Sequence, residues 1–176
     1  MKFLISLLFI NLFFYISSKP VIGILTHPIP DDPTSIDEGF INLNYVKWIE
    51  AAGGEIVPIH SWLNEKELDE ILNKVNGVLF QGGSASLDFN LPYYKISEKI
   101  FKKVIEQKEN YNRNLPLWGT CLGFEALNLI VSQDKNILSI FDAENVKSNL
   151  IIKNGINRES KIFSNFTDED INNMRT

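Results

Sequence analysis

The sequence contains one cysteine, Cys121, and only two histidines, His27 and His60. A single cysteine excludes an internal disulfide framework and any zinc site built from several cysteines. An unpaired thiol can form an intermolecular disulfide, lie inert in the core, or act as a reactive group. The residues that surround Cys121 therefore decide what it does.

The sequence also lacks a concentrated basic surface, and its formal net charge is -5. The densest basic group is Lys99, Lys102 and Lys103, which lies in an amphipathic helical pattern beside Glu98 and Glu106. Such mixed charge predicts a solvent-exposed helix face. Without a basic patch, we expect no nucleic-acid partner.

The amino terminus has the pattern of a secretory signal. Lys2 precedes an apolar run over residues 3–16, and small residues follow at 17–18. This predicts a cleaved signal peptide at 1–18 and a mature domain at 19–176, with an uncleaved anchor as the alternative. The run is too short for a comfortable membrane span, so no stable span is expected after cleavage. A glycosylation sequon at 165–167 fits export.

After residue 20, short apolar runs alternate with helical patterns. Strands are predicted at 21–25, 55–59, 77–80 and 115–118, and helices at 40–52, 65–75, 93–107 and 123–131. Four successive β-then-α units predict a three-layer α/β fold, with a parallel sheet and helices on both faces. Further short strands are expected at 138–141 and 146–152, and the polar tail at 154–176 has no predicted terminating element. Ligands should bind beyond the carboxyl ends of the strands.

The motif G-T-C-L-G at 119–123 lies between a predicted strand and a predicted helix. It matches the glycine-flanked nucleophile elbow, with cysteine in place of serine. Flanking glycines allow the sharp turn to close. The partial positive charge at the helix start stabilises the thiolate, which is the nucleophilic form. We predict that Cys121 is a nucleophile; a small buried cysteine is the alternative.

A second glycine motif, Q-G-G-S at 81–84, follows the third predicted strand. Adjacent glycines let backbone N–H groups approach a ligand closely, and acyl transfer requires such donors around the developing oxyanion. The elbow supplies another donor, the Leu122 N–H. An ordinary glycine turn is the alternative, but the shared sheet edge favours the oxyanion role.

Together, F-Q-G-G-S at 80–84 and L-W-G-T-C-L-G-F-E at 117–125 resemble γ-glutamyl hydrolases, peptidase family C26. These enzymes belong to the class I glutamine amidotransferase-like cysteine hydrolases. P-V-I-G-I-L at 20–25 and Y-V-K-W at 45–48 support the resemblance, which extends from about Pro20 to at least Val131 and more faintly to Phe166. It implies a flavodoxin-like parallel sheet whose C-terminal part is missing.

The resemblance implies cleavage of γ-glutamyl bonds in folate polyglutamates, in a lysosome or vacuole or after secretion. It implies no metal and no organic cofactor, and a possible homodimer. Cys121 would attack the γ-amide carbonyl, and the Gly83 and Leu122 N–H groups would hold the oxyanion. The substrate-binding positions are expected to be Gly82, Ser84 and Glu125. A solvent-facing role is the alternative for Glu125.

Two departures from the family pattern stand out. Gln81 occupies a position that is usually proline, which backbone donors should tolerate. The family takes its general base from a W-H-P-E-like segment far downstream, so we expect that base to be absent from this chain, with His27 and His60 as poor substitutes. The chain is then an N-terminal portion of the enzyme or an inactive relative that binds γ-glutamyl or folate ligands. A third alternative is the glutaminase part of a synthetase that transfers ammonia. The predicted signal peptide disfavours it, because such synthetases are cytosolic.

Overall fold

The structure is a computed structural model, and it describes residues 18–29, 38–142, 146–147, 149, 151–153 and 155–175. The predicted signal peptide, apart from Ser18, lies outside these residues. Contacts divide the chain into two units, residues 1–138 and residues 139–176. In the described part of the chain, no helix combines the length and apolar character needed to cross a membrane.

The first unit is built around a parallel sheet. Its strands are β1 (Val21–Leu25), β4 (Glu55–Ile59), β5 (Gly77–Phe80) and β6 (Leu117–Gly119), in the order β4-β1-β5-β6. A short antiparallel pair joins β2 (His27–Pro28) to β3 (Gly39–Phe40). All of β5 is buried because it lies between two neighbouring strands, which explains its uninterrupted apolar sequence.

Helices connect these strands. They are α1 (Leu43–Ala51), α2 (Glu65–Lys74), α3 (Pro92–Tyr111) and α4 (Leu122–Ser132). The chain moves from β1 to β4 in one direction across the sheet and from β5 to β6 in the other. Right-handed crossovers therefore place α1 on one face and α3 on the opposite face. This confirms the predicted three-layer α/β fold.

Helix α2 illustrates how local sequence sets these elements. Asn64 accepts a hydrogen bond from the Glu67 N–H at 3.0 Å, and the Glu67 carboxylate accepts one from the Asn64 N–H at 2.9 Å. This capping box fixes the helix start. Leu68 and Leu72, four residues apart, are the buried side chains that face the core.

The lysine group on α3 differs from expectation at one position. Lys99 and Lys102 are exposed, but the Lys103 side chain keeps only 14% of its accessible surface. Its ammonium contacts Asp69 of α2 and lies 3.4 Å from the Glu65 carboxylate. The prediction of a fully solvated face is wrong for Lys103, because its ammonium pairs with two carboxylates of α2 and its side chain is largely covered.

The second unit also differs from the prediction. Among its described residues there is no strand, so the strands expected around 138–141 and 146–152 are not found there. Its helices are α5 (Ile156–Glu159) and α6 (Asp168–Asn173), so the tail does contain helical elements. A second capping box, between Thr167 and Asp170, starts α6. Thr167 and Asp170 are three residues apart, which is the spacing of a capping box at a helix start. The polar composition of the tail alone does not indicate this helix.

Candidate active site

Cys121 lies at the junction between β6 and α4, where it is the residue that precedes the first helical turn. Its backbone has φ 51° and ψ -115°, in the left-handed half of the φ range that residues other than glycine rarely adopt. Its side chain is exposed. A strained backbone that presents an exposed thiol at the end of a central sheet is the geometry expected of a nucleophile elbow.

The two flanking glycines are required by close packing. A Cβ atom on Gly119 would lie 2.6 Å from the Gly123 carbonyl oxygen, and one on Gly123 would lie 2.7 Å from the Phe80 carbonyl carbon. The first turn of α4 therefore rests directly on the end of β5. Any larger residue at these positions would force the elbow to move.

The glycine loop after β5 lies beside the thiol. A Cβ atom on Gly82 would come within 3.1 Å of the Cys121 Cβ and 2.7 Å of the Tyr45 hydroxyl oxygen. The Gly82 N–H donates a hydrogen bond to that hydroxyl at 2.9 Å. The two motifs predicted to act together are thus neighbours, and Tyr45 of α1 lies next to both.

The predicted oxyanion donors remain available. Within the described residues, neither the Gly83 N–H nor the Leu122 N–H has a protein acceptor. Gly83 is exposed in the loop, and Leu122 supplies the first N–H of α4. Both groups can therefore donate to a bound oxygen, and their role stays a prediction.

The other predicted contacts border this region. Ser84 is exposed and lines a cleft of about 190 Å³ together with His27 and Phe40. Glu125 is half-buried in the first turn of α4, and its N–H donates to the Cys121 carbonyl oxygen at 3.0 Å. The substrate-binding roles of Gly82, Ser84 and Glu125 stay predictions.

Both histidines contact groups other than the thiol. His27 is buried, its Nε2 lies 3.3 Å from the Gln81 carbonyl oxygen, and its ring lies against Gly83 and Tyr93. His60 stacks on another ring, that of Trp62, at a centroid distance of 4.2 Å. In the described part of the chain, no hydrogen bond joins either imidazole to the Cys121 thiol.

Residues 20–133 match the family described as Peptidase C26. This chain belongs to the peptidase C26 family. The matched residues include both glycine motifs and end just after α4.

Curated relatives agree with this assignment. The chain is 36% identical over 165 residues to Gamma-glutamyl hydrolase 1 of Arabidopsis thaliana, covering 90% of this chain and 45% of that protein. It is 34% identical over 158 residues to the Gamma-glutamyl hydrolase of Rattus norvegicus, covering 90% and 49%. It is 35% identical over 154 residues to the Gamma-glutamyl hydrolase of Homo sapiens, covering 87% of this chain and 47% of that protein. The chain spans about half the length of the curated relatives it matches.

Sequence reasoning missed two residues in this C26 site. From the sequence, Tyr45 belongs to a string that matches the family but receives no role, and Gln81 is only a departure from the family pattern. Their site contacts join positions 37 or more apart in sequence. No local pattern in the sequence signals such pairs.

The C26 chain offers no evident metal centre in its described part. There, no group of three or more histidine, cysteine, aspartate or glutamate side chains could hold a metal ion.

We predict that His27 makes the stability of this C26 domain depend on pH. Burial lowers the pKa of His27 below 6.5, and the hydrogen bond to the Gln81 carbonyl only partly opposes this. The unfolded chain thus binds more protons at this site, so the free energy of unfolding should fall as the pH drops below about 6.5. Burial also lowers the pKa of His60, which adds a dependence of the same sign.

Urea unfolding of wild type and His27→Gln, between about pH 8 and about pH 5, measures the His27 contribution. The variant should lose less stability on acidification than the wild type. An unchanged pH dependence in the variant would show that His27 is not its source.

Proposed function

We propose that this chain carries the nucleophile part of a cysteine hydrolase that cleaves γ-glutamyl bonds, with folate polyglutamates as the substrate class. The observation that carries the proposal is the exposed Cys121 thiol on a strained elbow, directly beside the Gly82 backbone. The relatives named as γ-glutamyl hydrolases support the choice of bond.

The reaction would follow the usual course of acyl transfer to a thiol. The Cys121 sulfur adds to the γ-amide carbonyl carbon, and the carbonyl oxygen becomes an oxyanion that accepts hydrogen bonds from the Gly83 and Leu122 N–H groups. The C–N bond then breaks, and the leaving amine takes up a proton. Water hydrolyses the thioester, which releases the carboxylate and restores the thiol.

Proton transfer in these steps needs a general base. His27 is buried against Tyr93 and the Gln81 carbonyl, and His60 is stacked on Trp62, so we assign neither that role. The same observation favours a second candidate function, a protein that binds γ-glutamyl or folate ligands without turnover. The two candidates share the same site residues and differ in whether Cys121 forms an acyl-enzyme.

We further propose that residues 1–18 are a cleaved signal peptide and that residues 19–176 form the mature part, delivered to a lysosome or vacuole or secreted. The support is the charged start, apolar run and small residues of the amino terminus. A homodimer remains part of the proposal through the family resemblance alone.

Alkylation by iodoacetamide at neutral pH tests the nucleophile. We expect the native thiol to react several-fold faster than the thiol of the urea-unfolded chain, because the exposed side chain lies at the start of α4 and helix starts favour negatively charged groups beside them. Cys121 is the only cysteine, so the incorporated label reports one site. Equal or slower labelling of the native chain would contradict the proposal.

A further inference from the structure

Gln81 is a fully buried polar residue directly after β5. Its side-chain amide nitrogen donates to the Leu25 carbonyl oxygen at 3.1 Å and to the Phe40 carbonyl oxygen at 3.0 Å. Its side-chain oxygen accepts a hydrogen bond from the Asn42 N–H at 2.9 Å. One side chain thus satisfies backbone groups at the end of β1, in β3 and at the residue that caps α1.

Within helix α1, the Asn42 side-chain oxygen caps the first turn by accepting a hydrogen bond from the Asn44 N–H at 2.9 Å, but this bond does not tie the helix to the sheet. None of the residues of α1 is buried, and Leu43 and Trp48 are among the exposed large apolar side chains. Apolar burial therefore contributes less to the position of α1 than it does for a helix with a buried stripe.

The Gln81 hydrogen bonds are the remaining strong constraint: the bond to Leu25 is buried and the bonds to Phe40 and Asn42 are partly buried. Leaving the polar atoms of the buried Gln81 side chain without partners is costly.

The constrained turn carries Tyr45. The Tyr45 N–H donates to the Asn42 carbonyl oxygen at 3.0 Å, so the position of Asn42 sets that of Tyr45. The Tyr45 hydroxyl in turn accepts from the Gly82 N–H, next to the Cys121 Cβ. Two consecutive residues, Gln81 and Gly82, therefore hold the same helix turn from two sides.

We propose that Gln81 is a positioning residue: its side-chain amide fixes the start of α1 and so keeps the Tyr45 hydroxyl on the Gly82 N–H beside Cys121. This role rests on the proposed hydrolase function of the site. Gln81 touches no reacting atom, and it acts through Asn42 and Tyr45.

Proton–nitrogen NMR of the full chain tests the link without any need for activity. Gln81→Met keeps the length of the side chain and removes all three hydrogen bonds. The Gly82 amide proton resonance should move upfield, in the direction produced by Tyr45→Phe, because the amide loses its acceptor in both variants. The matched control is Gln133→Met, which removes only a local bond to the Ile130 carbonyl oxygen and should leave the Gly82 resonance in place. An unmoved Gly82 resonance in a folded Gln81→Met chain would overturn the proposal.

If Gln81→Met does not fold, amide hydrogen exchange of the wild type tests the hydrogen bond between Asn42 and Gln81 instead. The Asn42 amide should be protected, because its acceptor is a buried side-chain oxygen. Exchange of that amide at the rate of an unstructured peptide would mean that Gln81 does not hold the start of α1, and the proposal would fail.

Steady-state kinetics test whether the position of the Tyr45 hydroxyl affects the reaction. Gln81→Met should lower kcat/KM for a γ-glutamyl peptide about tenfold, mainly through kcat, and should cost little when Tyr45→Phe is already present. Fully additive losses would overturn the proposed route through Tyr45. A wild-type chain without cysteine-dependent cleavage would instead refute the hydrolase function, and the Gly82 resonance would still decide whether Gln81 positions Tyr45.

Discussion

Cys121→Ser should abolish the cleavage of γ-glutamyl peptides, with a loss in kcat/KM of about 1,000-fold or more. A serine hydroxyl at the elbow keeps the geometry, but a hydroxyl is a much weaker nucleophile than a thiol unless a general base activates it. The released glutamate, quantified by chromatography from a γ-linked diglutamate substrate, measures the effect. Labelling by iodoacetamide should disappear as well, because the chain has no other cysteine.

Ser132→Ala provides the control for this substitution. Ser132 is the last residue of α4, at the opposite end of the helix from Cys121, and it is exposed. Its removal should leave cleavage unchanged. Equal cleavage by wild type and Cys121→Ser would exclude the thiol as the nucleophile. If neither cleaves but both bind the γ-linked ligand with the same affinity, the chain is a binding protein.

The strands and the elbow could be predicted because their signals are local. The run at 77–80 is apolar throughout and forms the fully buried β5, and the strands at 21–25 and 55–59 have the predicted bounds. The glycine spacing around Cys121 is likewise a short-range steric signal, since Gly119 and Gly123 approach each other across the turn. Such features need no knowledge of distant residues.

The contacts around the thiol could not be predicted, because their partners are far apart in the sequence. Gly82 bonds to a hydroxyl 37 residues away, and the Gln81 amide bonds to backbone groups up to 56 residues away. The partial burial of Lys103 also depends on the neighbouring helix α2. Periodicity assigns a residue to a face of its own helix, but it does not identify what packs on that face.

Gly123→Ala should be the most destabilising conservative change in the first unit, with a loss of about 3 kcal/mol in the free energy of unfolding. Alanine normally stabilises a helix relative to glycine by about 1 kcal/mol, so the steric cost has to exceed that gain. Here the added methyl would lie 2.7 Å from both the carbonyl carbon and the Cβ of Phe80, and a strand backbone in the centre of a sheet cannot move aside freely. Urea denaturation of the variant and the wild type measures the difference.

Gly77→Ala is the control for Gly123→Ala. It measures the general cost of adding a methyl group to a buried glycine, without the contact with the Phe80 backbone. Gly77 is also buried, but its added Cβ would lie 3.3 Å from the end of the flexible Ile22 side chain, which can adjust. We expect it to cost less than about 1 kcal/mol and to leave the Cys121 labelling rate unchanged. Gly123→Ala should slow that labelling, because the first turn of α4 has to move away from β5. If both variants lose the same stability, direct contact between α4 and the end of β5 does not shape the elbow.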